Sequence, residues 1–213
     1  MKNFYQGILL SCLAAMSVSS CSKIITGIYG IHNIETVDKE AILKYEKKYR
    51  IPNADSYQLD TSYFTNLFSL DTIKYKSQIK NHYQPLQTLY YDNKGNLQSF
   101  HVNCYAGGFP NLKWNRDGNF KTFLPKQQAA IDSILPLYKQ LEFFIPLHNR
   151  NDFQKEDYDI FVVVFWNKFM GRQSKRLVQY VQKNVTLSQN NRVKIIYVNN
   201  DNIFAQHDNP GSR

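Results

Sequence analysis

The chain has 213 residues, a formal charge of +9, three cysteines and 15% aromatic residues, enough for one domain with an extension and too little for a multidomain machine. Its 43% hydrophobic content exceeds that of a disordered chain, and no run of about 18 to 20 apolar residues is present, which argues against a spanning helix. Basic isoelectric points often mean nucleic acid, but the lysines are dispersed and no nucleic-acid motif is present, so no nucleic-acid partner is expected.

Met1-Lys2-Asn3 carries positive charge, Ile8 to Met16 is apolar, and Ser17-Val18-Ser19-Ser20 is a small-residue region ending at Cys21, the order of a secretory signal. Val18-Ser19-Ser20-Cys21 resembles the lipobox of bacterial lipoproteins, which implies cleavage before Cys21 and acylation, palmitate included, on that residue. Leu9-Leu10-Ser11-Cys12 is a competing match whose apolar region is too short for a signal core. The divisions expected are a signal at 1–20, a membrane-proximal segment at 21–36, one α/β domain at 37–205 and a polar tail at 206–213. The resemblance implies a bilayer partner through Cys21 and a place in the cell envelope. Ser22-Lys23 lacks the acidic residues that mark some surface lipoproteins, which favours the periplasm-facing side of the outer membrane. Cys12 would leave with the signal and lipid would block Cys21, leaving Cys104 as the one free thiol and no intramolecular disulfide.

Asp38 to Arg50 places Ile42, Tyr45 and Tyr49 on one helical face, with Lys39, Lys44, Lys47, Lys48 and Arg50 forming a solvated face that could also meet anionic lipid. Leu86 to Tyr91 and Leu97 to Tyr105 alternate about Asp92-Asn93-Lys94-Gly95-Asn96 and predict a hairpin. Leu112-Lys113-Trp114 and Phe120 to Phe123 about Asp117-Gly118 predict a second hairpin, and Pro125 predicts a helix through Leu141 that Pro136 kinks or splits. Ile160 to Trp166 is a continuous apolar run that predicts a strand of a parallel sheet covered by helices on both faces. A helix from Ser174 to Asn184 and a strand from Val193 to Val198 complete a βαβ unit.

Val162-Val163-Val164-Phe165-Trp166-Asn167-Lys168-Phe169-Met170-Gly171-Arg172-Gln173 resembles the thioredoxin-like family, in which a buried strand ends in Phe-Trp and leads to Trp-Cys-Gly-x-Cys at a helix start. The following strand, ending near Asp201, is similar to the family's next strand. The resemblance covers 158–201 and implies a thioredoxin-like mixed sheet with antiparallel hairpins and a C-terminal βαβ. The hairpins precede the βαβ here, which implies a rearranged or permuted order; Pro85 with Thr88 to Gly95 is similar to the family's proline-led hairpin.

Dithiol exchange needs a thiolate at the helix start and a second thiol three residues on. Met170 and Gln173 stand at those positions, Val164 where many members have a buried Asp, and Tyr197 where they have a lysine. The resemblance therefore implies a redox-inactive domain, a binding or assembly module rather than an enzyme, with Trp166, Phe169, Arg172 and Lys175 as the partner-binding candidates and an envelope protein as partner. Two alternatives stay open: a lone-thiol enzyme using Cys104 with His101 or His82 as base, and an envelope immunity or inhibitor protein. Trp114, Phe109 and Tyr105 about Ala106-Gly107-Gly108 could form an aromatic surface, although core packing explains them as well. Arg172, Lys175 and Arg176 at the helix start could hold an anion. Asn199-Asn200-Asp201-Asn202 offers oxygen ligands without the calcium-loop spacing, and the five histidines are scattered, so no metal and no cofactor are expected.

Overall fold

A computed structural model describes residues 30–103, 114–115, 117–148 and 157–207. Helix α1 spans Lys39–Tyr49 and is closed at both ends by its own sequence. The Asp38 carboxylate accepts from the Ala41 amide at 2.7 Å, and Arg50 takes a left-handed conformation whose N–H reaches the Glu46 and Lys47 carbonyls. Ile42 and Tyr49 are buried, and the lysines that surround them in sequence are exposed.

Strand β1 (Ser56–Leu59) follows, then two short helices, α2 (Ser62–Phe68) and α3 (Lys76–His82). Strands β2 (Gln87–Asp92) and β3 (Leu97–Val102) form the predicted hairpin. Asp92 organises its loop by accepting from the amides of Lys94 and Asn96, and Gly95 sits at φ 85°, where a side chain would be strained. After α4 (Leu137–Leu141) come β4 (Phe144–Pro146), β5 (Ile160–Trp166), α5 (Gly171–Val185), β6 (Val193–Asn199) and α6 (Asp201–His207).

The protein is mixed α/β: six strands make one mixed sheet in the order β3-β2-β5-β6-β1-β4. β5 runs parallel to β6 and antiparallel to β2, and β1 is parallel to β6 and antiparallel to β4. The apolar run of β5 thus reflects a central, doubly covered strand, but not the purely parallel neighbourhood that its composition predicts.

Alternation divides the core into two layers. Trp166, Val164 and Val162 share a face with Thr88 and Tyr90, and this face lies under α1 and α5: Tyr49 packs edge-on against Trp166, and the Tyr90 hydroxyl donates to Asn184. Phe165, Val163 and Phe161 face the other way, where Tyr63 of α2 packs on Phe165 and His82 of α3 lies against Phe100.

Two sequence expectations fail in the segment between β3 and β4. Phe120 to Phe123 is no strand: Asn119–Lys121 is a single 3-10 turn entered through Gly118 at φ 72°. The Asn184 amide donates to the carbonyls of Phe120 and Thr122, so acceptors that a strand would offer to a neighbour serve a helix side chain instead. Leu112 and Lys113 lie outside the described residues. The helix expected from Pro125 exists only as α4, entered through Pro136. Residues 125 to 129 instead lie along the outer edge of β3: the amides of Gln128 and Ala129 both donate to the Phe100 carbonyl, and Ser99 donates to the Pro125 carbonyl. The edge strand's free acceptors outbid helix propensity there.

Candidate functional site

The stretch resembling the thioredoxin motif lies where the carboxyl ends of β5 and β6 meet the start of α5. Asn167 leaves β5 fully buried. Its amide donates to the Pro85 carbonyl and to Asn200 at 3.0 Å each, while its oxygen accepts from the Met170 amide at 2.8 Å. Asn200 also donates to the Pro85 carbonyl. Pro85, Asn167 and Asn200 thereby tie the entry to β2 to the ends of β5 and β6.

Asp201 is the second organiser. Its carboxylate accepts from the amides of Lys168 (2.7 Å) and Phe169 (3.3 Å) and from the Asn199 side chain (2.8 Å). Desolvation by burial pushes the carboxyl above its ordinary range, against the opposing effect of those hydrogen bonds. The oxygen-rich run at 199–202 is therefore committed to internal structure. Asn202 exchanges two bonds with the backbone of Val37, and Asn199 and Asn200 are engaged as described.

The segment from Gly30 to Val37 lies over this loop. The His32 amide donates to the Phe169 carbonyl at 2.7 Å, and Lys168 pairs with Glu35, which lowers the Glu35 carboxyl and raises the lysine through their shared hydrogen bond. Gly30 and Gly171 let the two backbones touch. A Cβ on Gly171 would stand 2.7 Å from the Gly30 carbonyl oxygen, and one on Gly30 would stand 2.9 Å from the Arg172 Cβ. Tyr49 donates to the Gly171 carbonyl from the α1 side.

Of the two residues that the resemblance aligns with redox thiols, Met170 is 7% exposed and Gln173 1%. A thioether does not ionise, and both polar atoms of the Gln173 amide lack a partner. Of the four partner-binding candidates, Trp166 and Phe169 are buried in the core, Lys175 is half-buried and Arg172 is exposed. The first amides of α5 are closed on the preceding turn: Gly171 donates to Lys168, and Gln173 and Ser174 donate to Met170. This occupies donors that an anion at the helix start would need. Arg176, Gln179, Tyr180 and Lys183 line a shallow groove farther along the helix. Cys21, Cys104, Tyr105 and Phe109 lie outside the described residues; Trp114 is buried in the core.

Two other polar constellations escaped the sequence reading. Glu46, nearly buried, accepts from Ser56 and pairs with His148 Nε2 at 2.9 Å, beside a groove that Lys47, Arg50 and Asn53 also line. The carboxylate stands between serine and histidine, so the hydroxyl has no imidazole base and the relay of a serine hydrolase is not formed. His82 meets both Asp132 oxygens, at 3.1 and 3.2 Å, but is fully buried with Nδ1 unpartnered, out of reach of a substrate. His101, the other base considered for Cys104, is buried against Phe120, and desolvation lowers its pKa to about 4. Among the described residues no group of three or more His, Cys, Asp or Glu side chains could hold a metal, and no helix is long and apolar enough to cross a membrane.

No family model, curated protein or solved structure matches the chain.

Proposed function

We propose that the protein is a bacterial lipoprotein, anchored through acylated Cys21 to the periplasm-facing side of the outer membrane, whose rearranged thioredoxin-like domain works by binding a protein partner rather than by thiol-disulfide exchange. The observation that carries this reading is the state of the motif positions. Met170 and Gln173 replace the two thiols, both are buried, and the loop around them is wrapped by residues 30–37 instead of opened to a substrate. The proline-led hairpin supports the fold part of the reading: β2 lies directly against β5, and the Pro85 carbonyl reaches Asn167 at the motif. The hairpin precedes the βαβ in the chain, which is the rearrangement this reading includes. Arg172, which is exposed, and Lys175, which is half-buried, are the motif side chains assigned to partner contact in this reading.

The test combines two assays on the full-length protein solubilised from its own envelope. In an insulin-reduction assay with dithiol reductant, no rate above the uncatalysed one is expected. Affinity purification is expected to retain a stoichiometric envelope protein that an Arg172→Ala/Lys175→Ala variant loses, with Cys21→Ala as the unanchored control. Thiol-exchange turnover abolished by Cys104→Ser would contradict the reading and point to a lone-thiol enzyme.

A further inference from the structure

The connection between α2 and α3 exposes apolar side chains, although the Phe68 ring also packs against Phe64, Tyr83 and His207. Ile73, at its tip, is 90% exposed, and Phe68, at the end of α2, is 40% exposed. Ile73 is held there by a built turn: the Asp71 carboxylate accepts from the amides of Ile73 (3.0 Å) and Lys74 (2.9 Å), and the Asp71 carbonyl from the Tyr75 amide (2.9 Å). Lys74, Lys76 and Lys80 follow, all exposed, and the one acidic side chain between Phe68 and Lys80 is Asp71, whose carboxylate is turned onto the backbone.

A chain of ring contacts links Phe68 to the loop that the N-terminal segment covers. The Phe68 ring is 6.0 Å from Phe64, Phe64 is 5.1 Å from Phe204, and Phe204 is 5.7 Å from Phe169, whose carbonyl holds His32. Ile34, two residues beyond His32, is itself 38% exposed. Ile73 is five residues from Phe68, within about 17 Å by chain length. None of the grooves described above includes Ile34, Phe68 or Ile73.

We infer that the α2–α3 tip docks onto an anionic lipid surface, with Ile73 and Phe68 entering the acyl boundary and Lys74, Lys76 and Lys80 meeting the headgroups. An isoleucine that is almost fully exposed, with the exposed Lys74, Lys76 and Lys80 following it in the chain, fits the headgroup boundary, where apolar side chains enter the hydrocarbon and ammonium groups stay at the phosphates. The charge is complementary to anionic lipid, and the patch is a convex tip rather than a cleft for a peptide. This inference rests on the lipid-anchor reading, since the anchor supplies the proximity that makes a small patch sufficient.

Tryptophan fluorescence tests it in the full-length, lipidated protein reconstituted into phosphatidylcholine vesicles that contain phosphatidylglycerol and acyl chains brominated as quenchers. Both native tryptophans, Trp114 and Trp166, are buried and give a constant emission that quenchers in the lipid do not reach. Ile73→Trp adds a reporter at the tip, and Leu187→Trp adds an exposed control just past the far end of α5. The expected result is co-flotation of both variants with quenching at 73 and none at 187. Lys74→Ala/Lys76→Ala in the Ile73→Trp background should reduce the docking equilibrium about 25-fold, at about five-fold per lysine near an anionic surface. Co-flotation without quenching at 73, or with equal quenching at 73 and 187, overturns the inference while the anchor reading stands, and it leaves the patch to a protein partner. Failure to co-float, with an unquenched reporter, overturns both.

Discussion

The loop at the carboxyl end of β5 and the tip between α2 and α3 differ in what their side chains are doing. At the loop, Asn167, Asp201, Asn200 and the Pro85 carbonyl satisfy one another, and Trp166 and Phe169 are core residues. At the tip, Ile73 and Lys74 stand exposed on a turn that Asp71 holds, and Lys76 and Lys80 are exposed on α3 just after it. The loop's polar side chains are framework, whereas the tip presents Ile73 to solvent.

Core substitution gives the largest expected contrast. Trp166→Ala should destabilise the protein by about 3–5 kcal/mol, as truncation of a fully buried aromatic does, whereas Ile73→Ser should stay within about 0.5 kcal/mol. Urea denaturation of both variants checks this, and comparable losses would break the distinction.

Asp201→Ala should cost about 2–4 kcal/mol, because the buried amides of Lys168 and Phe169 and the Asn199 side chain lose their acceptor. The carboxyl's folded-state pKa lies above its ordinary 3.8. The native state therefore binds its proton more tightly than the unfolded chain, and stability from this group is full below that value and declines as pH rises through the folded pKa. Asp201→Asn should remove that decline, which pH-dependent urea midpoints would show.

His101 has the opposite sign. Burial lowers its pKa from 6.5 to about 4, so its contribution is present above pH 6.5 and is lost as pH falls through 4. The loss amounts to about 3 kcal/mol at 1.36 kcal/mol per pKa unit. His101→Gln should flatten the acid limb of the stability profile between those values.

The smallest effect separates the two backbones at the loop. Gly171→Ala should cost about 1–3 kcal/mol, since its φ of 25° and the 2.7 Å approach to the Gly30 carbonyl leave no place for a methyl group. Its local signature is faster amide exchange at His32 and Val37, with exchange in β5 unchanged.

The C-terminal third was legible because burial writes itself into composition: β5, α5 and β6 each read directly from apolar runs or helical period. So did α1, through Asp38 and the face of Ile42 and Tyr49, and the β2–β3 hairpin, through Asp92 and Gly95. Strands β1 and β4 are four and three residues long and depend on pairing partners remote in sequence, so no local period marks them. The seven-residue helices α2 and α3 are too short for a periodic signal. The segment from Phe120 to Leu135 misled because its turn residues and proline are consistent with strand or helix, and its conformation is decided by Asn184 and the edge of β3. At the candidate site, the apolar runs marked the ends of β5 and β6 and the helical period marked α5. The bonds between Asn167 and Asn200 and between Asp201 and Lys168 each span 33 residues. Asn199 to Asn202 were visible as oxygen donors, but nothing local showed that their partners are Pro85, Val37 and the start of the α5 loop.

The anchor is the claim on which the proposed role and the lipid-docking tip both depend. Intact-mass spectrometry of the full-length gene product, extracted from its envelope, addresses it directly. The expected product is a chain beginning at Cys21 with a diacylglyceryl thioether and an acylated amino terminus, and an unprocessed, unacylated chain for Cys21→Ala. A wild-type chain that begins elsewhere, or begins at Cys21 without lipid, would contradict it.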